Sequence, residues 1–170
     1  MKNRSRNLAH AALIAALYAA MPHLQNLLLP GSASWAIQCR LSEALCVLAL
    51  FTPAAVSGLS IGCALFNMTF AAALPLDWLL GAAATFGATL SMRALRRIRI
   101  GDYPLPAMLM PALFNAVLIG LELSAYIGGG FLLNACYVAL GELIVMLTFG
   151  SVLLRLFKKR NLAHILFHKK

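Results

Sequence analysis

The sequence predicts an all-α integral membrane protein, a single bundle of six transmembrane helices with both termini in the cytoplasm. Hydrophobic residues make up 62% of the 170-residue chain, and charged residues only 11%. The apolar residues form blocks close to the length of a bilayer crossing, which is the pattern of membrane-spanning helices. The 14 basic residues gather where these blocks end, as in the cytoplasmic loops of membrane proteins. The net charge of +9 therefore indicates membrane orientation rather than nucleic-acid binding.

Proline and glycine residues divide the apolar blocks into helices. Pro53 separates the second block from the third, Pro75 the third from the fourth, and Gly128–Gly130 the last two. The six predicted helices are residues 8–29, 36–51, 54–74, 76–94, 106–127 and 131–156, followed by a basic cytoplasmic tail at 157–170.

Charge decides whether the short block 36–51 crosses the membrane. At 1.5 Å per residue it would be about 24 Å long as an α-helix, slightly short for a bilayer. If it crosses, the basic N-terminus, the arginines at 93–99 and the basic tail all lie on one side, which then holds 13 of the 14 basic residues. Only Arg40 is left outside. The positive-inside rule therefore favours six crossings with both termini cytoplasmic.

In this topology most polar residues fall in the outer half of the bundle. Ionisable groups inside a membrane are costly and usually face an internal cavity or one another, so the pattern predicts a pocket open to the outside. The four acids in or around it outweigh one arginine and leave a formal charge of −3, which suits a cation or a ligand rich in N–H donors. The candidate ligand-binding residues are Gln38, Arg40, Glu43, Asn67, Asp77, Glu122, Asn134, Tyr137 and Glu142.

Purely structural roles remain open for several of these residues. Arg40 and Glu43 lie at helical spacing and could neutralise each other. Asp77, beside Trp78, could begin a helix at the membrane interface. The asparagines could serve only to hold helices together.

The first helix carries two rows of alanine with a spacing of four residues. Such small residues let a second helix approach closely, either within this chain or from a partner. One row is Ala11, Ala15 and Ala19, and the other is Ala12, Ala16 and Ala20. No P-loop, GxSxG or HExxH motif and no zinc-type cysteine cluster occurs, so we expect no ATPase, no catalytic site and no metal in this chain.

Three stretches together resemble the QueT family of queuosine-precursor transporters. They are QCRLSEALCVLALFTPAAVSGLSIGCALFN, LDWLLGAAATFGATL and GELIVMLTFG, and the resemblance covers Leu8 to Leu156. Members of this family are substrate-binding S-components of energy-coupling factor (ECF) transporters in the cell membrane. The resemblance implies a six-helix S-component bundle, a 7-deazaguanine base as substrate, no catalysis and no cofactor bound to this chain.

The resemblance also implies partners and roles for two parts of the chain. The partners are a transmembrane coupling protein and two cytoplasmic ATPase subunits, which use the ATP. An alanine row on the first helix would contact the coupling protein. The segment with Arg40 and Glu43 would cover and line the substrate site.

Three other functions compete with this hypothesis. One is an S-component for another vitamin or cofactor precursor. A second is a solitary proton-coupled carrier, in which Glu122 or Glu142 would be the proton site. A small membrane enzyme is disfavoured because the sequence shows neither a nucleophile motif nor a metal cluster.

Overall fold

The computed structural model describes residues 2–30, 39–71 and 73–167, and within them the chain is helical without a β-strand. The all-α fold class is therefore confirmed. The helices are α1 (Lys2–Leu28), a 3₁₀ helix (Leu41–Leu50), α2 (Ala54–Thr69), α3 (Asp77–Leu95), α4 (Leu105–Met108), α5 (Met110–Tyr126), α6 (Phe131–Val145), a π-helical turn (Met146–Gly150), α7 (Ser151–Lys159) and α8 (Leu162–Phe167).

Three helical stretches are long and apolar enough to cross a bilayer: Arg4–Leu28, Leu105–Tyr126 and Phe131–Lys159. The 3₁₀ helix and α2 are apolar but shorter. Large hydrophobic side chains such as Leu13, Leu132 and Val152 are exposed on the outer surface of the bundle, as expected for a surface that faces lipid.

The predicted second helix differs from the observed one in both type and start. It begins at Leu41 rather than at residue 36, and residues 36–38 lie outside the described residues. Residues Ser42–Ala49 are all buried, so this helix runs through the centre of the bundle. A 3₁₀ helix rises about 2.0 Å per residue, which stretches ten residues to about 20 Å where an α-helix would reach about 15 Å.

The other predicted bounds also need correction, and the first helix runs from Lys2 to Leu28 instead of from 8 to 29. The third predicted helix ends at Thr69 rather than 74, because Phe70 has an extended backbone. The fourth spans 77–95 instead of 76–94. The fifth is divided at Leu109, since Pro111 has no N–H to continue the helix. The sixth runs to Lys159 and contains the π-helical turn.

Helices α1 and α2 pack closely because glycine faces alanine. A Cβ atom on Gly58 would lie 2.6 Å from the Ala11 carbonyl oxygen, and one on Gly62 would lie 2.7 Å from that of Ala15. Both Ala11 and Ala15 are buried in this interface. Small residues four apart on both helices thus bring the two backbones together, as in membrane helix pairs.

We expect Gly62→Val to destabilise the protein by about 1–3 kcal/mol, because its side chain would meet backbone atoms of α1 that cannot move independently. The measurement is the midpoint of thermal unfolding in detergent. Ile61→Val, at the neighbouring exposed position, is the matched control and should leave the midpoint unchanged. Equal midpoints for both variants would show that the close approach of α1 and α2 contributes nothing to stability.

The chain direction alternates over the first three helical segments, α1, the 3₁₀ helix and α2. Ala11 faces Gly58 and Ala15 faces Gly62, so α1 and α2 run parallel. The 3₁₀ helix lies between them in sequence, and the chain must return along it to the end where α1 begins. At that end, the ring of His10 lies 5.3 Å from that of Phe167, which places α1 and α8 together.

The two ends of the bundle differ in charge. We call one the basic end; it contains Arg4, the segment 96–104, α7 and α8. There Arg155 Nε donates a hydrogen bond to the Tyr103 hydroxyl, and Lys158 Nζ donates to the Asp102 carbonyl oxygen (2.8 Å). The other we call the polar end; there Gln25 on α1 donates to the Cys39 carbonyl oxygen (2.8 Å) and accepts from the Leu41 N–H (2.9 Å).

Candidate binding site

Glu43 lies inside the bundle and joins the 3₁₀ helix to α1. It is 3% exposed. The Tyr18 hydroxyl donates a hydrogen bond to its Oε1, and the Cys46 thiol donates to its Oε2 over 3.3 Å. Both carboxylate oxygens therefore have partners from the chain itself.

Arg40 begins a second set of buried contacts that joins the 3₁₀ helix to α2 and α3. Its Nη1 donates to Asn67 Oδ1 (3.3 Å), and Asn67 Nδ2 donates to the Asp77 carbonyl oxygen (2.9 Å). The Asp77 carboxylate accepts from the Leu74 N–H (2.9 Å), which holds the turn before α3. The Arg40 guanidinium also lies 5.4 Å from the centre of the Phe66 ring, a cation–π distance.

Glu142 and Glu122 differ from Glu43 because they have buried oxygens without a partner. Asn115 Nδ2 donates to Glu142 Oε1 (2.9 Å), but no described residue donates to Oε2. The Glu122 carboxyl lies beside Asp77 and Leu76, yet neither of its oxygens reaches hydrogen-bond geometry with the described residues. The Ser42 hydroxyl is also buried without a partner there. Such groups are rare in folded proteins and each one needs an explanation.

The five ionisable groups form one electrostatic cluster. Arg40 interacts with the charges of Glu43 and Asp77, and also with those of Glu122 and Glu142. Four carboxylates and one guanidinium carry a formal charge of −3, and all five side chains are buried. Burying several like charges is costly, so a cationic or donor-rich molecule would stabilise the cluster.

The other sequence-predicted residues lie apart from this cluster or outside the described residues. Asn134 donates to the Gly128 carbonyl oxygen (2.8 Å) and holds the turn before α6. Tyr137, on α6, is 39% exposed. Gln38 lies outside the described residues. Within those residues, no three His, Cys, Asp or Glu side chains are arranged to hold a metal ion.

Sequence reasoning missed Tyr18 as a member of the site. This tyrosine is fully buried and contacts Glu43, 25 residues further along the chain. A helical pattern could have found it, because Ala11, Ala15 and Tyr18 follow the spacing of a single helix face.

The two alanine rows have different surroundings. Ala11 and Ala15 are buried against α2, and Ala19 is half-buried. The row of Ala12, Ala16 and Ala20 is exposed on the surface of the bundle. Only this second row is therefore available to a partner over its whole length, and the first row serves packing within the chain.

Apolar helices of bilayer length around a buried cluster of charges are the architecture of a membrane transport protein, because charged residues inside a membrane mark substrate or ion sites. The model of the QueT transporter family matches residues 8–159. This chain therefore belongs to the QueT transporter family. No curated protein and no solved structure matches the chain.

Proposed function

We propose that this chain is the substrate-binding S-component of an ECF-type uptake transporter and that it captures a queuosine precursor, a 7-deazaguanine base, from outside the cell. Membership of the QueT transporter family supports a small-molecule substrate. The observation that carries the substrate assignment is the set of buried groups without a partner among the described residues, namely Ser42 Oγ, Glu142 Oε2 and both oxygens of Glu122.

The chemistry of a 7-deazaguanine base complements these groups. A carboxylate only accepts hydrogen bonds, and the amino-pyrimidinone edge of a guanine-like base presents adjacent N–H donors. Glu142 and Glu122 would each accept such donors, and the Ser42 hydroxyl is able to donate to the ring carbonyl. A base with an aminomethyl group would also bring a positive charge to a cluster of formal charge −3.

Six crossings with both termini in the cytoplasm complete the proposal. The parallel course of α1 and α2 supports a return crossing by the 3₁₀ helix. Because the 3₁₀ helix is buried along its length, it is enclosed by the bundle and does not have to match the full thickness of the lipid. The basic end would face the cytoplasm and the polar end the outside.

Cysteine labelling tests this orientation. In a variant with Cys39 and Cys136 replaced, a maleimide that cannot cross membranes should label Gly129→Cys, in the turn at the polar end, in intact cells. It should label Asp102→Cys at the basic end only after the cells are lysed. Both positions are exposed, so access is limited by the membrane alone. Labelling of Asp102→Cys in intact cells would overturn the orientation.

The substrate assignment is tested with the purified full chain and a panel of bases by titration calorimetry. We expect the aminomethyl 7-deazaguanine to bind most tightly, followed by neutral 7-deazaguanines. Adenine is expected not to bind, since its ring edge has an acceptor where guanine has an N–H donor. Binding of no deazaguanine would refute the substrate assignment and favour an S-component for a different vitamin or cofactor precursor.

The transport assembly is a separate part of the proposal. The partners would be a transmembrane coupling protein and two ATPase subunits that use ATP, and the exposed row of Ala12, Ala16 and Ala20 would contact the coupling protein. Co-purification of an ATPase module distinguishes this assembly from a solitary proton-coupled carrier. Uptake that is abolished by a protonophore but needs no ATPase would favour the carrier, with Glu122 or Glu142 as its proton site.

A further inference from the structure

A cleft opens at the basic end, well away from the polar cluster. Its volume is about 400 Å³, and it lies between the end of the 3₁₀ helix, the segment after α3, and α7. One part of the lining is basic and the other is apolar. The lining residues are Arg96, Arg97, Arg99 and Lys158 together with Leu50, Phe51, Pro104 and Leu154.

Among the described residues, no carboxylate in the lining neutralises the basic charges of this cleft. Asp102 lines only the adjoining cavity of about 810 Å³. Arg96 donates to the Arg93 carbonyl oxygen (2.8 Å) and Lys158 to that of Asp102. In the part of the chain that the structure describes, Arg97 and Arg99 have neither a hydrogen bond nor an ion pair, so both guanidinium groups remain able to hold an anion.

The segment that carries these arginines has the alternation of basic and apolar side chains that suits a membrane surface. In Arg97-Ile98-Arg99-Ile100 the basic and apolar side chains alternate, and Ile98 and Ile100 are 53% and 61% exposed. The Ile100 N–H donates to the Tyr103 carbonyl oxygen (2.9 Å), which closes the turn that follows. A segment at the end of a membrane helix lies at headgroup depth, where isoleucine contacts acyl chains and arginine reaches phosphate.

We propose that this cleft binds the phosphodiester headgroup of an anionic phospholipid from the leaflet at the basic end. Arg97 and Arg99 would hold the phosphate through paired N–H bonds, the geometry in which guanidinium binds phosphate best. Arg96 and Lys158 add positive charge. Leu50, Phe51 and Leu154 form an apolar wall that would contact the first part of the acyl chains. A free phosphate ion has no acyl chain and would leave this wall uncovered.

Native mass spectrometry of the full chain in a neutral detergent tests the proposal, with phosphatidylglycerol as the probe. We expect one phosphatidylglycerol to bind, phosphatidylcholine to bind much more weakly, and inorganic phosphate at equal concentration not to displace the lipid. The double variant Arg97→Gln/Arg99→Gln should weaken binding about thirty-fold. That factor equals about 2 kcal/mol at 1.4 kcal/mol per tenfold, in line with about 1 kcal/mol for each basic residue near an anionic surface.

The matched control removes the same charge from the same end of the bundle. Neither Arg4 nor Arg160 lines the cleft, so Arg4→Gln/Arg160→Gln should change the affinity less than about three-fold. Equal weakening in the two double variants would indicate a diffuse attraction to basic residues and would overturn the site. Unchanged binding in Arg97→Gln/Arg99→Gln, or displacement by inorganic phosphate at equal concentration, would overturn it as well.

Discussion

Replacement of Glu142 by Gln is expected to weaken binding of a 7-deazaguanine base by at least about tenfold. The side-chain carbonyl of the introduced glutamine would keep the hydrogen bond from Asn115, and its amide NH₂ would then occupy the position of the unpaired Oε2. A donor would thus face the donors of the ligand. A hydrogen bond to a charged group contributes roughly 1.5–3 kcal/mol, and 1.4 kcal/mol corresponds to a factor of about ten.

Glu43→Gln is expected to behave differently, although both residues are buried acids of the same cluster. Both oxygens of Glu43 already accept hydrogen bonds from Tyr18 and Cys46, so the change disturbs the contact between α1 and the 3₁₀ helix. We expect a lower midpoint of thermal unfolding together with weaker binding. For Glu142→Gln we expect weaker binding with little change in the midpoint.

Titration calorimetry and thermal unfolding of the two variants, with Asp102→Asn as control, measure both effects. Asp102 lies at the basic end, so its loss of one negative charge should leave the affinity unchanged. Glu122→Gln is the third variant, because neither carboxyl oxygen of Glu122 has a partner within the described residues. Unchanged affinity in both Glu142→Gln and Glu122→Gln would remove the unpaired acids from the site and with them the main support for the substrate.

Ala16→Trp is expected to abolish uptake while base binding and thermal stability stay unchanged. Ala16 lies on the exposed alanine row, where an indole side chain points away from the bundle but prevents the close approach of a partner helix. Ala15→Trp should instead lower the stability of the protein itself, because Ala15 is 4% exposed and packs against Gly62. Substitution at Ala16 is thus expected to prevent assembly with the partner, whereas substitution at the adjacent Ala15 is expected to destabilise the protein itself.

Uptake of labelled base and co-purification of the ATPase subunits are the two measurements for these variants. Leu121→Trp, at an exposed position of α5, controls for a bulky residue on the outer surface. Normal uptake and normal co-purification in Ala16→Trp would contradict the partner role of this row. Equal losses in Ala16→Trp and Leu121→Trp would contradict it too, since the effect would not depend on α1.

The sequence by itself determined the class of protein, and it singled out four acids and one arginine as candidates for the site. Apolar blocks and clustered basic residues require a membrane bundle, since no other environment accommodates so much exposed apolar surface. Arg40, Glu43, Asp77, Glu122 and Glu142 stand out because an ionisable group in a membrane is costly wherever it lies. Burial of all five in one electrostatic cluster agrees with that expectation.

Only the tertiary structure decided which of these groups are already paired. Tyr18 on α1 donates to Glu43 and Asn115 on α5 donates to Glu142, across 25 and 27 residues of sequence, and local spacing does not determine contacts at that distance. The structure likewise separated the two alanine rows and revealed the 3₁₀ form of the central helix. In a helix of a soluble protein, polar residues indicate which face is exposed to solvent. In lipid both faces are apolar, so the sequence of α1 did not show that Ala15 faces α2 while Ala16 faces outward.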